Sequence, residues 1–525
     1  MSAEPTGKLL EFMDAQKRSR GGGDGEKSVD VRGLALTDLG NGLRFVRDHG
    51  DSVRYCEEVG KKWYVWETTG EQGTGGYFRL DNTKLVNRLG KITVESIVDE
   101  KTIDDERPLS GNKTYNELRY AHYLYTQDSK GLRNMLDMAS SELPIAVRSD
   151  DFDKNQMLLN LVNGTYDLAA DEFRAARRAD LMTKQAQVVY DAEAPAPETW
   201  IRIHKEYFNG DEGMFQFLHR AYGYALTGDV SERVVFIFQG ATDAGKSTIL
   251  RFLHWLMAGY AVRIPTERLM QKRGGGGGGI PNDIMRMRGA RIVSASEMEE
   301  DKRLAEGQLK ELVANDIVTA RHMKAEWVDF EPTHKLFIGT NPMPRIHDSS
   351  GATWNKIRLV KFNRSIPKEE QDPYILDTLK AEASGILNLM LQGCRDWREH
   401  GLGTTSAVTL ATNAAKAEQD TVGLFLEECT QPTLKVEKGA LYQTYKRWAE
   451  ENQGFVLSKN KFGRLLIARG TEEHNTNTVR YWVGLSLKPI ASITGPPTAA
   501  DAHRRSQQAL EENPALWKTS DEENG

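Results

Sequence analysis

Residues 234–248 read Val-Val-Phe-Ile-Phe-Gln-Gly-Ala-Thr-Asp-Ala-Gly-Lys-Ser-Thr. The five apolar residues at the front have the pattern of a buried strand. Residues 240–247 then fit glycine, four residues, and Gly-Lys-Ser, the spacing of a phosphate-binding loop. Glycines let such a backbone curl until successive N–H groups point at one oxyanion cluster. Lys246 would reach the outer phosphates and the Ser247 hydroxyl would hold a metal ion. Residues 247–257 have helical spacing, so a positive helix end would face the ligand. The candidate nucleotide-binding residues are therefore Gly240, Ala241, Thr242, Asp243, Ala244, Gly245, Lys246, Ser247 and Thr248.

Downstream, residues 292–297 (Ile-Val-Ser-Ala-Ser-Glu) form an apolar run closed by a carboxylate. Glu297, placed at a strand end, would sit beside the metal and polarise the attacking water, and Glu299 and Glu300 could share the metal. A plain solvated helix start is the alternative. Residues 335–341 repeat the pattern and end in Asn341. That side chain could orient water against the terminal phosphate, or merely cap the turn before Pro342. A fourth run, 357–362, is flanked by Lys356 and Arg358. In a ring ATPase a cation here would reach the neighbouring subunit's site. Arg358 ranks ahead of Lys356 for this role, with an ordinary surface cation as the alternative. Between the acid and the asparagine lies Thr-Ala-Arg-His-Met-Lys, residues 319–324. A hairpin there would offer Arg321, His322 and Lys324 to a phosphate backbone in a pore, or stand solvated without a ligand. Strand and helix signals alternate from 234 to 362, which predicts a mostly parallel, helix-covered sheet and an α/β core.

The whole chain has 525 residues, 39% hydrophobic and 27% charged. No apolar stretch approaches the ~20 residues of a membrane span, and residues 1–29 lack the apolar segment of a secretory signal. Three widely separated cysteines (Cys56, Cys394, Cys429) suggest a reducing compartment, so a cytoplasmic location is expected. No paired Cys or His spacing indicates zinc. A net charge of −6 confines any nucleic-acid contact to local basic patches. The expected organisation is a disordered leader (1–33), an α+β domain (34–190), and the ATPase core with its leading helices (191–404). A C-terminal domain (405–488) and a disordered tail (489–525) complete it. Six glycines at 274–279 read as a loop. Residues 421–487 read as three helices and a two-stranded wing, with Val479, Tyr481, Val483 and Leu485 alternating as a strand. Lys459, Lys461 and Arg464 lie on or near the exposed side of its third helix, where they would contact DNA or simply be solvated.

The ordered motifs resemble the superfamily 3 helicases, and more closely the phage, plasmid and poxvirus primase-helicase group. The residues that carry the resemblance are 240–247, 289–297, 317–321 and 336–341. Upstream, 37–45 and 163–168 look like that group's pre-helicase domain, 222–228 like its entry to the core, and 441–448 like its winged helix. The resemblance implies an AAA+-like P-loop core between an α+β domain and a winged helix. It also implies a hexameric ring that moves 3′ to 5′ on single-stranded DNA with ATP and Mg²⁺. Lys246, Ser247, Glu297, Asn341 and a cation acting in trans would form the catalytic site. Two departures stand out. Ala244 replaces the family's asparagine before Gly-Lys-Ser. Lys356 falls where an arginine usually follows the tryptophan, and lysine lacks the guanidinium fork. The Asp151-Phe-Asp153 segment reads as a turn rather than a primase metal site, and the span before Thr37 is too short for a polymerase-like primase domain. The expected partners are therefore single-stranded and forked DNA, further copies of the chain, and a separate primase or polymerase, without a membrane. The expectation is an ATP-dependent replicative DNA helicase of a phage or mobile element. Two rivals stay open: a DNA-stimulated ATPase loader or switch, and a non-enzymatic, nucleotide-dependent origin-binding protein.

Overall fold

The computed structural model describes residues 34–100, 113–271, 282–296, 303–314, 316–320, 328–346, 351–432, 435–452, 456–475 and 479–488. The leader, the tail, the six-glycine run, Glu297, Glu299, Glu300, Arg321, His322 and Lys324 lie outside them. The chain divides into two compact units, residues 1–190 with 321–328, and residues 191–320 with 329–525.

In the first unit, helix α1 (Asp38–His49) starts where the Thr37 side chain accepts from the Gly40 N–H, a standard N-cap. Strands β1 (Val53–Cys56), β2 (Lys62–Thr69) and β3 (Gly75–Leu80) form an antiparallel sheet. Helices α2 (Leu85–Asp99), α3 (Tyr115–Gln127) and α4 (Ser129–Ser140) come next. Phe45, Val65, Val94, Met135 and Ile145 are buried together in one core. A polar network lies beside that core. The fully buried Arg44 pairs with Glu100 and donates to the carbonyls of Leu34 and Ala35. Asn41 bonds Thr126 and His122. A second antiparallel sheet joins β4 (Leu158–Leu161), β5 (Gly164–Asp167) and β6 (Glu172–Arg174), with a two-residue turn at Val162-Asn163 between β4 and β5. Asp153 holds the Thr183 N–H and hydroxyl, so the Asp-x-Asp segment is a turn.

The second unit opens with α5 (Glu198–Tyr207) and α6 (Glu212–Leu226). Next come β7 (Val235–Gly240), α7 (Lys246–Met257), β8 (Ala261–Arg263), α8 (Asn282–Arg286), β9 (Ile292–Ser296) and α9 (Glu306–Leu312). Strands β10 (Val318–Ala320) and β11 (Val328–Phe330) pair, and β12 (Lys335–Thr340) and β13 (Ile357–Phe362) complete the core. Five of these strands form one sheet in the order β13-β7-β12-β9-β8, and every pairing is parallel. Val235, Ile237, Val293, Leu336, Ile338 and Leu359 are buried, as befits strands covered on both faces. Two buried basic side chains tie the start of the sheet to the C-terminal end of α6. Lys335 donates to the carbonyls of Thr227 and, at 3.0 Å, Asp229; Arg291 donates to the carbonyl of Leu226. A helix C-terminus, with its unsatisfied carbonyls, suits such donors.

Helices α10 (Ile375–Ala381), α11 (Ala383–His400) and α12 (Ser406–Glu418) lead into a smaller core. There α13 (Thr421–Cys429), β14 (Thr430–Gln431), β15 (Lys435–Glu437), α14 (Lys438–Asn452) and α15 (Lys459–Ala468) precede β16 (Glu472–Asn475), β17 (Arg480–Val483) and β18 (Ser486–Leu487). Phe425, Tyr445, Trp448, Phe462 and Trp482 pack together. The wing differs from the expectation in phase and in size. Trp482 is buried, whereas Val483 is exposed. The larger indole takes the core side of β17, and Gly484 (φ 88°) breaks the strand so that Leu485 turns back to the core. The expected pair β16–β17 gains a third strand, β15.

Candidate functional site

Strand β7 ends at Gly240 and α7 begins at Lys246, so the loop between them is only five residues long. It curls through two left-handed residues, Asp243 (φ 59°) and Gly245 (φ 89°). A side chain at Gly245 would be strained twice over, because its Cβ would come within 2.3 Å of the Tyr207 ring. Gly245 also precedes α7 without a side-chain cap, which leaves first-turn N–H groups for an external acceptor. Such a turn ahead of a helix N-terminus fits an anion.

Lys246 is 6% exposed. Its ammonium donates to the carbonyls of Gly240 at 2.7 Å and Ala241 at 2.5 Å, folding back over the loop. Burial lowers its pKa, and the Asp243 carboxylate opposes that shift. Ser247 is exposed beside it. In the sheet, Thr340 lies opposite Gln239, so Asn341 emerges next to the loop. Its Nδ2 donates to Thr242 Oγ1 at 3.2 Å. On the other side, Ser365 Oγ donates to the Thr242 carbonyl at 3.0 Å and the Ile366 N–H to the Asp243 carbonyl at 2.9 Å.

The structure thus brings Lys246, Ser247 and Asn341 to the C-terminal ends of neighbouring parallel strands. Strand β9 stops at Ser296, two strands from β7 and so about 10 Å away at normal spacing. Among the described residues no cluster of three His, Cys, Asp or Glu side chains could hold a metal ion.

Lys356 and Arg358 lie elsewhere. Arg358 pairs in register with Phe236 and Gly240 with Phe362, which sets Arg358 about 13 Å back along the strand. Its Nη1 donates to the carbonyls of Asn355 (2.9 Å) and Ile357 (3.2 Å), and its Nε is buried with no hydrogen-bond partner among the described residues. Burial lowers its pKa, with Glu232 opposing. Lys356 comes just before the strand, and its pKa is lowered by burial and by the nearby Arg233 and Lys310 charges, against Asp316.

The three lysine and arginine candidates of the C-terminal domain separate. Lys459 and Arg464 line a groove of about 820 Å³ together with Lys438, Tyr442, Arg480 and Trp482. Lys461 lines a different groove, with Trp354, Lys416, Asp420 and Arg469. Ser458 caps α15 by accepting from the Lys461 N–H.

Sequence reasoning missed Tyr207 and Ser365. Neither lies in a motif; each reaches the loop only through the tertiary fold.

Residues 42–209 match the family described as D5 N terminal like. A protein of Acanthamoeba polyphaga mimivirus named "Putative helicase L207/L206" is 23% identical over 325 residues, covering 58% of this chain and 34% of its own length. "Putative helicase 184R" of Invertebrate iridescent virus 6 is 24% identical over 373 residues, covering 62% and 38%. The family match and the viral relatives support a likeness to the superfamily 3 primase-helicase group. The chain spans about a third of the length of those curated relatives. It also aligns with the solved "A form apo structure of NrS-1 C terminal region-CTR" over 87% of its own residues and 100% of that chain, at 10% identity and a TM-score of 0.46. Among the described residues no helix is long and apolar enough to cross a membrane.

Proposed function

We propose that this chain is the motor of an ATP-dependent DNA helicase serving viral or mobile-element replication. In this reading the second unit holds a P-loop ATPase core followed by a winged-helix domain. The single observation that carries the proposal is the placement of Lys246 and Asn341 at the same end of the parallel sheet. The cations of β13 start at its other end, out of reach of their own loop.

In this reading the loop N–H groups and Lys246 hold the phosphates, which compete with the Gly240 and Ala241 carbonyls for the ammonium. Mg²⁺, held by the Ser247 hydroxyl and by Glu297, supplies charge neutralisation on the phosphates. Glu297 activates water and Asn341 orients it. Arg358 or Lys356 serves the neighbouring subunit in a hexameric ring; Arg358 holds the Asn355 and Ile357 carbonyls through Nη1 alone. Arg321, His322 and Lys324 grip the strand, moved 3′ to 5′. The Lys459–Arg464 groove is a second DNA contact; Lys461, on another face, is not part of it.

The test is ATP hydrolysis and forked-duplex unwinding on each tail polarity. Lys246→Ala should abolish both while leaving the thermal melt unchanged. Retained turnover would refute the site. Hydrolysis without strand displacement would favour a loader or switch.

A further inference from the structure

Thr242 sits at a junction that its place in the loop does not require. Its hydroxyl accepts from Asn341 Nδ2 at 3.2 Å, and its carbonyl accepts from Ser365 Oγ at 3.0 Å. The next carbonyl, of Asp243, accepts from the Ile366 N–H at 2.9 Å. One loop residue is therefore tied both to the end of β12 and to the segment leaving β13, the two strands that flank β7.

We propose that Thr242 and Ser365 are positioning residues for hydrolysis: Ser365 fixes the loop backbone, and the Thr242 hydroxyl aims the Asn341 carboxamide. The inference rests on the function proposed above. A carboxamide has two N–H donors and one carbonyl acceptor. Asn341 is exposed, and an exposed amide otherwise rotates among several directions. Committing one N–H to Thr242 sets the direction of the other N–H and of Oδ1, the groups that would meet water and the terminal phosphate. The hydroxyl can aim the amide only if Thr242 itself is held. Ser365 and Ile366 grip the main chain at Thr242 and at the very next residue, and leave the side chain free to turn toward β12. Position 242 thus needs a hydroxyl, which serine also supplies and valine, of the same shape, does not.

The experiment is steady-state ATP hydrolysis by the full chain, with nucleotide affinity measured in parallel, for wild type, Thr242→Val, Thr242→Ser, Asn341→Ala and the Thr242→Val/Asn341→Ala double variant. Thr242→Val should lower kcat by roughly three- to tenfold, in the lower part of the range for contacting residues that act together. Its nucleotide affinity should fall by less than its kcat, and Thr242→Ser should restore most of the kcat that Thr242→Val loses. The double variant should turn over no more slowly than Asn341→Ala alone, because Thr242 acts through Asn341. Wild-type kcat in Thr242→Val overturns the inference, as do multiplicative losses in the double variant. A fall in affinity equal to the fall in kcat marks general loop damage and also overturns it. If the wild-type chain fails to hydrolyse ATP, the proposed function falls instead and takes this inference with it.

Discussion

A guanidinium removed from water keeps its charge, so every one of its donors must find an acceptor. Arg44 does this in the first unit. It forms bonds of 2.7 and 2.9 Å to Glu100, itself 7% exposed on its side chain, and donates to the Ala35 and Leu34 carbonyls at 2.9 and 3.0 Å. Removing one partner of a buried pair strands the other's charge, at a cost of about 3–5 kcal/mol. Arg44→Ala should therefore destabilise the first unit by that amount in chemical denaturation. A loss under about 1 kcal/mol would show that water already screens the pair. The sequence segment around Arg44 carried only a family resemblance. Its physical meaning needed Glu100, 56 residues away, and no local pattern announces such a partner. Tyr207 and Ser365 were illegible for the same reason: each acts on the loop from a distant part of the chain.

At the scale of elements, periodicity was a good guide wherever an apolar run is buried on both faces. Strands β7, β9, β12 and β13 all coincide with runs read from the sequence, because continuous apolar residues have few other ways to be satisfied. It failed in β17, where one face is open and the choice of inward residue depends on which side chain fills the gap. Six-residue β13 also poses the sharpest functional question. A strand rises about 3.3 Å per residue, so a cation at its start cannot serve a loop beside its end in the same chain. If Lys356 works in the neighbour's site, Lys356→Ala and Lys246→Ala should each be inactive alone. Mixed before assembly, they should regain ATP hydrolysis, because some junctions then pair an intact loop with an intact lysine. A mixture no more active than its components would place the cation outside the site.

At the scale of the molecule, histidines give the chain a common pH response. His204 is buried among Trp200, Phe215, His219 and Tyr222, and burial pushes its pKa down to about 3. Its Nδ1 lies 2.9 Å from the Trp200 carbonyl and its Nε2 3.3 Å from the Tyr222 hydroxyl, which suits a neutral ring donating through Nδ1. His334, at the start of β12, is pushed down to about 4, first by burial and then by the Lys335 charge. His219 is lowered by burial as well. The unfolded chain takes up these protons near pH 6.5, whereas the folded chain resists them until the depressed values are reached. The unfolded state thus binds more protons throughout that window, and stability must fall as pH drops below about 6.5. Each such histidine contributes a slope of up to about 1.4 kcal/mol per pH unit. Between pH 6.5 and 5 most carboxylates remain ionised in both states, so the slope belongs to the buried histidines together with Lys335, whose pKa burial holds well below the usual lysine range. Urea denaturation of the chain at pH 6.5, 6.0, 5.5 and 5.0 should show a steadily falling midpoint. His204→Phe should flatten the slope even if it changes the midpoint at neutral pH, since a phenyl ring has no proton to gain. A wild-type midpoint constant across this range would mean that water or local opening lets the buried rings titrate as they do in the unfolded chain.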